Sequence, residues 1–313
     1  MTRVGAVDCG TNSIRLLIAD VHGPGSLTEV VREMQIVRLG EGIDATGAIS
    51  PAAMERTLAA AREYADRCRE EGCGAVRFVA TSASRDASNA DDFVAGVREA
   101  FGDLDVPPEV ISGQEEAQLS FAGATAGLTD APEPYLVVDI GGGSTEFVLG
   151  DRAQGVLAAR SVDIGCVRMS ERHLHDDPPT EDQVWAALSD IVRAVEDVAG
   201  SVDLTGVGTL IGLAGSVTTV TAHALTLPDY DRERIHGAQL PVPTVIDAST
   251  DLLLSRRSVR RDLPYMHEGR VDVIGAGALI WRSIVQRVAH DSGLATVRTS
   301  ETDILDGIAL SQV

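Results

Sequence analysis

The sequence predicts an α/β protein of two similar domains with a cleft between them, and three observations carry that reading. Short apolar runs of strand type alternate with longer amphipathic runs of helical type. One strand–turn–strand unit occurs twice: Gly5-Ala6-Val7-Asp8-Cys9-Gly10-Thr11-Asn12-Ser13 lies over Leu136-Val137-Val138-Asp139-Ile140-Gly141-Gly142-Gly143-Ser144, with Asp on Asp, Gly on Gly and Ser on Ser. A break containing proline and acid, residues 129–134, precedes the second copy. Two copies of one supersecondary unit imply two like-folded domains whose equivalent loops meet.

The elements follow in order. Residues 3–7 are apolar, 8–13 turn-rich and 14–20 apolar again, which predicts strand, turn, strand. A further strand is expected over 30–39. Ser50-Pro51 opens a helix to residue 71, with proline at the first helical position where its missing N–H costs nothing. Residues 75–80 read as a buried strand, 81–89 as a polar turn and 91–101 as a helix. A strand over 109–111 leads to Ser112-Gly113-Gln114-Glu115, which resembles a capping box opening a helix. In the second half, 135–139 and 145–150 repeat the opening unit. Helices are expected over 166–175 and, after the Thr180-x-x-Gln183 cap signal, over 181–198. Residues 208–213 read as a strand, Gly215-Ser216 as a turn and 217–225 as a helix. The remainder is largely helical, with a short strand near 295–298 and a final helix over 302–311. The domains are therefore expected at 1–128 and 129–313, with 302–313 able to pack back on the first.

Composition narrows the chemistry. Hydrophobic content of 44% and charged content of 23% are globular values. The N-terminus lacks the pattern of a signal peptide, and no apolar run approaches the roughly 20 residues that span a bilayer. A cytoplasmic protein without a membrane partner is expected. Cys9, Cys68, Cys73 and Cys166 form no Cys-x-x-Cys pair, so reduced thiols are expected rather than structural zinc. The net charge of −21 argues against nucleic acid as partner. All 26 basic residues are arginine, which excludes a Walker A lysine and a pyridoxal Schiff base. Any cation that grips phosphate here is a guanidinium, with bidentate geometry available.

Both repeated loops have what a phosphate cradle requires. Gly10, Gly141, Gly142 and Gly143 permit close backbone approach to an anion. Thr11, Asn12, Ser13, Ser144 and Thr145 add neutral donors. A tight hairpin turn would select the same residue types, but two matching loops favour the cradle, as does a third glycine turn at Gly215 and Ser216. Asp8 and Asp139 close the two first strands. Facing each other at about 4 Å they would repel by about 4 kcal/mol at an effective dielectric near 20. A divalent cation, Mg²⁺ or Mn²⁺, would resolve that conflict, with Glu146 as a third metal ligand. The counterpart of Glu146 in the first copy is Arg15, a natural phosphate ligand.

These residues together resemble the exopolyphosphatase / guanosine pentaphosphate phosphatase (Ppx/GppA) family. The matching segments are Asp8-Cys-Gly-Thr-Asn-Ser-Ile-Arg15, Thr81-Ser-Ala-Ser-Arg-Asp-Ala-Ser-Asn89, Ile111-Ser-Gly-Gln-Glu-Glu-Ala117, Asp139-Ile-Gly-Gly-Gly-Ser-Thr-Glu146, Gly212-Leu-Ala-Gly-Ser216, His267-Glu-Gly-Arg-Val-Asp272 and Thr302-Asp-Ile-Leu-Asp-Gly307. The resemblance implies ribonuclease H-like domains of the actin, Hsp70 and sugar kinase superfamily. It also implies metal-assisted hydrolysis of terminal phosphate from inorganic polyphosphate or guanosine pentaphosphate, an activity of the stringent response. Glu116 is the implied base that orients or activates water, which suits a residue one step around the helix from the capping Glu115. Arg85 is placed to contact phosphate, to brace Glu116 or to face solvent, and Arg270 to line the cleft. The run Arg256-Arg257-Ser258-Val259-Arg260-Arg261 reads either as a track for a long polyanion or as a solvated face. Longer members carry further C-terminal domains. Their absence argues against high processivity and against a dimer built through them, while a homodimer by other surfaces stays open. A small-molecule kinase of the superfamily and a non-catalytic polyphosphate or alarmone-binding regulator are the competing readings.

Overall fold

The computed structural model describes residues 2–23 and 25–313. The chain divides into two units, Met1–Leu128 with Asp303–Val313, and Thr129–Thr302.

The first unit is built on a five-stranded mixed sheet of order β3-β2-β1-β4-β5. Its strands are β1 (Thr2–Cys9), β2 (Ser13–Gly23), β3 (Ser26–Ile36), β4 (Ala75–Ala80) and β5 (Glu109–Val110). β1, β2 and β3 form an antiparallel meander, and β4 and β5 add in parallel. Side chains alternate across the sheet because strand periodicity is two. Val7, Cys9, Ile14, Leu16 and Ile18 face a core with Tyr64, Phe78, Phe93 and Phe101. Helix Pro51–Glu70 closes that face, burying Ala53, Thr57, Ala60, Ala61, Tyr64, Ala65 and Cys68 at helical spacing. Ser50 caps it by accepting from the Ala53 amide at 3.2 Å.

The alternate positions Val4, Ala6, Leu17, Ala19 and Val21 face a second core with Leu119, Ile304, Leu305 and Ile308. Helices Gly113–Thr125 and Ile304–Leu310 cover this face. They cross where both are glycine: a Cβ on Gly123 would lie 1.8 Å from the Asp303 carbonyl oxygen, and one on Gly307 would lie 2.0 Å from that of Leu119. Asp8 and Arg15 belong to this second face by parity. The alternation of β1 and β2 therefore sends both side chains toward the two helices that carry Glu116 and Asp303.

The second unit repeats the plan in a six-stranded sheet of order β10-β11-β9-β6-β7-β8. The strands are β6 (Tyr135–Ile140), β7 (Thr145–Asp151), β8 (Gly155–Val162), β9 (Thr209–Leu213), β10 (Gln239–Pro241) and β11 (Thr296–Thr299). Again an antiparallel meander, β6, β7 and β8, is followed through a long helix, Glu181–Ala199, by the parallel strands β9 and β11. The added strand β10 lies at the edge. Leu136, Val138, Ile140, Phe147 and Leu149 enter the main core beside Trp281. Asp139 and Glu146 lie on the opposite face. Thr180 and Gln183 form the capping box that their spacing predicts.

Four expectations are corrected. Residues 81–89 are not simply a turn: Ser82–Asp86 is a short helix, too short and too polar for a hydrophobic period to reveal. Gly215 and Ser216 lie inside helix Ala214–Ala224, not in a turn before it. β8 was not expected, because its small and charged residues hide the strand that the β7 hairpin specifies. Ser112 caps its helix by accepting from the Glu115 amide, but the Glu115 carboxylate holds Arg77 at 2.7 Å instead of completing a capping box. Among the described residues no helix is long and apolar enough to cross a membrane, and the four cysteines are free thiols.

Candidate active site

The two repeated hairpins make the same turn. Gly10 donates its amide to the Ser13 carbonyl at 2.9 Å, and Gly141 donates to the Ser144 carbonyl at 3.0 Å. In both loops the carbonyls are drawn into packing. Thr11 O accepts from Gly40 N, and Asn12 O from Val37 N and Arg38 N. In the second loop Gly141 O accepts from Cys166 N, Gly142 O from Val167 N and Arg168 N, and Gly143 O from Arg168 Nε at 2.8 Å. A trans peptide sets its N–H opposite to its C=O. The amide hydrogens of Gly142, Gly143 and Ser144 therefore turn together, away from the helix that holds their carbonyls, as do those of Asn12 and Ser13. Successive amides turned one way are what an anion requires of a backbone.

Around this common turn the side chains differ. Asp8 is buried and lies directly across the β1–β2 pair from Arg15. Arg15 Nε and Nη2 both donate to Asp8 Oδ2, at 2.9 and 2.6 Å, and Nη1 donates to Asp303. Burial pushes the Asp8 carboxyl up, while Arg15 pulls it down and Asp303 adds to the rise. Asp303 also resists ionisation through burial, but Arg15, Arg32 and the Leu305 amide outweigh it and hold its carboxyl below the usual range. Arg32 also binds Asp306 at 2.6 Å. Asp303 and Asp306 form the capping box of the last helix. The sequence pattern gave no sign that Asp303 joins Asp8 through Arg15, because the two acids stand at opposite ends of the chain.

Glu116 occupies the first turn of its helix, after the Ser112 cap, and is 8% exposed. Arg85 Nη1 donates to Glu116 Oε2 at 2.7 Å and to the Ile111 carbonyl at 2.9 Å. The Thr81 hydroxyl also bonds the carboxylate. Desolvation dominates its ionisation; Arg85 and Thr81 oppose it, Asp8 reinforces it, and the pKa is pushed up to about 7. Of the three placements open to Arg85, the structure selects the brace on Glu116. Ser82 of the same segment meets the Thr11 hydroxyl at 2.9 Å, so the short helix after β4 ties together the glycine loop and the Glu116 helix.

In the second unit Asp139 and Glu146 face each other across the β6–β7 pair, 7% and 1% exposed. Ser161 donates to Glu146 Oε1 at 2.8 Å. Two carboxylates at one cross-strand position repel. They fit a divalent cation, which takes one or two carboxylates with water and phosphate oxygens filling the remaining positions. No group of three or more metal-ligating side chains is assembled among the described residues.

Ala214 begins helix Ala214–Ala224 at φ +64°, a left-handed conformation costly for a residue with a Cβ. The strain turns the chain sharply between β9 and Gly215. A Cβ on Gly215 would lie 2.5 Å from the Arg270 guanidinium, so glycine is what lets that cation approach the helix start. Arg270 donates to Thr219 Oγ1 at 3.2 Å and sits 5.9 Å from the Tyr230 ring centroid. The Tyr230 hydroxyl bridges Thr218 at 2.8 Å and Glu301 at 2.5 Å. Ser216 is 6% exposed and packs against Gly277. Tyr230, Thr219 and Glu301 escaped the sequence reading because no motif joins them.

A sequence profile of the Ppx/GppA phosphatase family matches residues 17–312. The chain belongs to that family. Exopolyphosphatase 2 of Mycobacterium tuberculosis is 45% identical to it over 99% of this chain and 98% of its own length. The crystal structure of an exopolyphosphatase-like protein, 41% identical, superposes with a TM-score of 0.94 over 99% of this chain and 98% of that one. That of an exopolyphosphatase from Cytophaga hutchinsonii, 25% identical, gives 0.88 over 100% and 99%.

Within this Ppx/GppA member three side-chain assignments change. Arg15 is not a free phosphate ligand but the hub between Asp8 and Asp303. Asp8 already has that guanidinium as counter-charge, which makes it the least suited of the three expected metal ligands. Thr145 is fully buried and its hydroxyl donates to the Ile164 carbonyl, so its one hydrogen is spent within the fold. The arginine run is not one continuous surface. Arg260 is buried and donates to the carbonyls of Leu252, Leu253 and Val271, capping helix Val242–Leu254. Arg257 lies 3.6 Å from Asp272, and its amide donates to Asp177.

Proposed function

We propose that this chain hydrolyses the terminal phosphoanhydride of inorganic polyphosphate, with Glu116 orienting the attacking water and accepting its proton. One observation carries the reading: a carboxylate fixed by Arg85 and Thr81 in a buried helix turn, with a pKa of about 7. A base poised near neutrality combines a useful ionised fraction with proton affinity. Arg85 holds the carboxylate in one orientation without neutralising it. Within each unit the loop amides, those of Asn12 and Ser13 in the first and those of Gly142, Gly143 and Ser144 in the second, with the side chains of Ser144 and Ser216, would supply donors for phosphate oxygens. Gly10, Gly141 and Gly215 supply the close approach, and Arg270 the positive charge. Phosphoryl transfer asks mainly for positioning and charge stabilisation, which such a donor set provides.

Asp139 and Glu146 would hold the Mg²⁺ or Mn²⁺ that the reaction uses. Bound there, the ion supplies charge neutralisation for substrate phosphate and relieves the repulsion between the two acids.

The test is phosphate release from polyphosphates of several lengths, run beside guanosine pentaphosphate, for the wild type and Glu116→Gln. The substitution is expected to lower the rate by about 10²–10⁴-fold with little change in KM. A Glu116→Gln enzyme that retains its rate would remove the mechanism. Faster release from guanosine pentaphosphate than from polyphosphate would reassign the substrate while leaving the role of Glu116 in place.

A further inference from the structure

Cys68 and Cys73 take no part in the site described above, yet the fold brings them together. Helix Pro51–Glu70 ends in a Schellman arrangement: Gly72, at φ +67°, donates its amide to Arg69 O at 3.1 Å, and Cys73 donates to Cys68 O at 3.0 Å. In that motif the side chains of the sixth and first residues meet. Here both are cysteine, which places the two sulfurs at the same helix end, where each acts on the ionisation of the other. A pair whose backbones are directly hydrogen-bonded falls within the Cα separation a disulfide needs, about 4.4–6.8 Å.

The two thiols are unequal. Cys68 is fully buried, its sulfur packed against Gly5; Cys73 is half-exposed. The neighbouring Cys68 thiol and the Arg3 guanidinium hold the Cys73 thiol below the usual range, against desolvation and the charges of Glu71 and Asp20. Arg3 is fixed beside it, since Gly74 donates to the Arg3 carbonyl at 2.9 Å and Arg3 Nη1 donates to the Glu71 carbonyl at 3.3 Å. An accessible, activated sulfur next to a buried thiol is the arrangement of an attacking and a resolving cysteine. Cys9 and Cys166 are each buried without a cysteine neighbour and have no such partner.

We propose that Cys73 and Cys68 are a reversible oxidation site, at which a hydroperoxide oxidises Cys73 and Cys68 closes a disulfide on it. The Cys73 thiolate attacks the peroxide; an S–O bond forms, the O–O bond breaks, and the leaving hydroxide takes a proton to become water. The Cys68 sulfur then attacks the sulfenic sulfur; the S–S bond forms, the S–O bond breaks, and the oxygen leaves as water with the Cys68 proton. Two thiols lose two electrons in all, and one hydrogen peroxide becomes two waters. Thiol reductant reverses the change.

The experiment treats the reduced, full-length protein with hydrogen peroxide, blocks remaining thiols with N-ethylmaleimide and digests it with trypsin without reductant. Cleavage after Arg67, Arg69 and Arg77 separates the two cysteines in sequence. A disulfide therefore appears as the dipeptide Cys68-Arg69 joined to the peptide of residues 70–77, parted by dithiothreitol. Cys9 and Cys166 are expected to remain reduced in the same digest. In Cys68→Ser, Cys73 is expected to accumulate as a sulfenic acid that dimedone traps; in Cys73→Ser, Cys68 is expected to resist peroxide. The proposal is overturned if Cys73 of the wild type proceeds to sulfinic acid without linkage to Cys68. It is equally overturned if the two residues stay alkylated, or if the only disulfides found join separate chains. The wild-type digest decides the question even if Cys68→Ser does not fold.

Discussion

The hairpin β1–β2 and the hairpin β6–β7 share a turn, a register and an aspartate at the same position, but differ in what stands across the strand. Opposite Asp8 is Arg15; opposite Asp139 is Glu146. In the first unit the buried acid is compensated within the fold, through a guanidinium that Asp303 of the last helix also holds. In the second unit two buried acids oppose each other, an arrangement that invites a cation from outside. One cross-strand residue therefore separates a hairpin with an Asp–Arg pair from one with two facing acids. The two turns share their backbone hydrogen bond, and the residue facing the aspartate sets their different charge.

Four experiments bear on that contrast. The largest effect is expected from Arg15→Met, which leaves Asp8 buried without that guanidinium and Asp303 with Arg32 alone; unfolding in urea should show a loss of about 3–5 kcal/mol. Glu146→Gln should act in the opposite direction on metal-free protein and raise its urea midpoint, since it removes a like charge from a buried pair. If both substitutions destabilise alike, the hairpins are equivalent and the contrast fails.

Next is Glu116. Its folded pKa of about 7 lies above the ordinary 4.5. The raised value means that its protonated form favours folding below pH 4.5, and that this stability is lost as pH rises through 7. The displacement corresponds to about 3 kcal/mol. Glu116→Gln should therefore be more stable than wild type at pH 8 by up to about that amount, with the difference vanishing toward pH 4.5. A constant difference across that range would mean that the carboxylate is not displaced. In the wild type, kcat/KM should fall as pH drops below 7, as the base of the free enzyme takes up its proton.

Asp139→Asn is expected to weaken the apparent affinity for Mg²⁺, read from activity titrated with metal, by about 100-fold. The same titration of Asp8→Asn should move much less; an equal shift would return Asp8 to the metal site. The smallest effect should come from the residues after the two acids, Cys9 and Ile140, both buried. Cys9→Ala removes only a sulfur from the core and should cost about 1 kcal/mol with activity unchanged.

Much of this was legible in the chain. The repeat of Asp-x-Gly around two apolar runs announced the duplicated sheet, because a hairpin's turn residues and alternation are local. The helix caps at Ser50, Thr180 and Ser112 were legible for the same reason: each satisfies an amide three residues away. Glu116 could be singled out because the segment of residues 111–117 resembles that of the family. What stayed hidden depends on distant partners. Ser82–Asp86 is helical because Arg85 reaches Glu116 and Ser82 reaches Thr11, contacts that a window of local sequence does not contain. Arg260 looked like surface charge in a basic run, and is buried where the Leu252 and Leu253 carbonyls at a helix end and the Val271 carbonyl accept from it.

The sequence by itself determined the α/β class, the doubled hairpins, the glycine loops and the identity of the acids, all properties set by side-chain type at short range. Only the tertiary structure decided how those acids are used. Charge compensation depends on which side chain stands across a strand and which helix returns to cover it, and electrostatic energy falls with distance in space, not along the chain. Arg15 became a hub because residue 303 comes back to the first sheet, and Glu116 acquired its near-neutral pKa because Arg85, Thr81 and Asp8 converge on it in a buried turn.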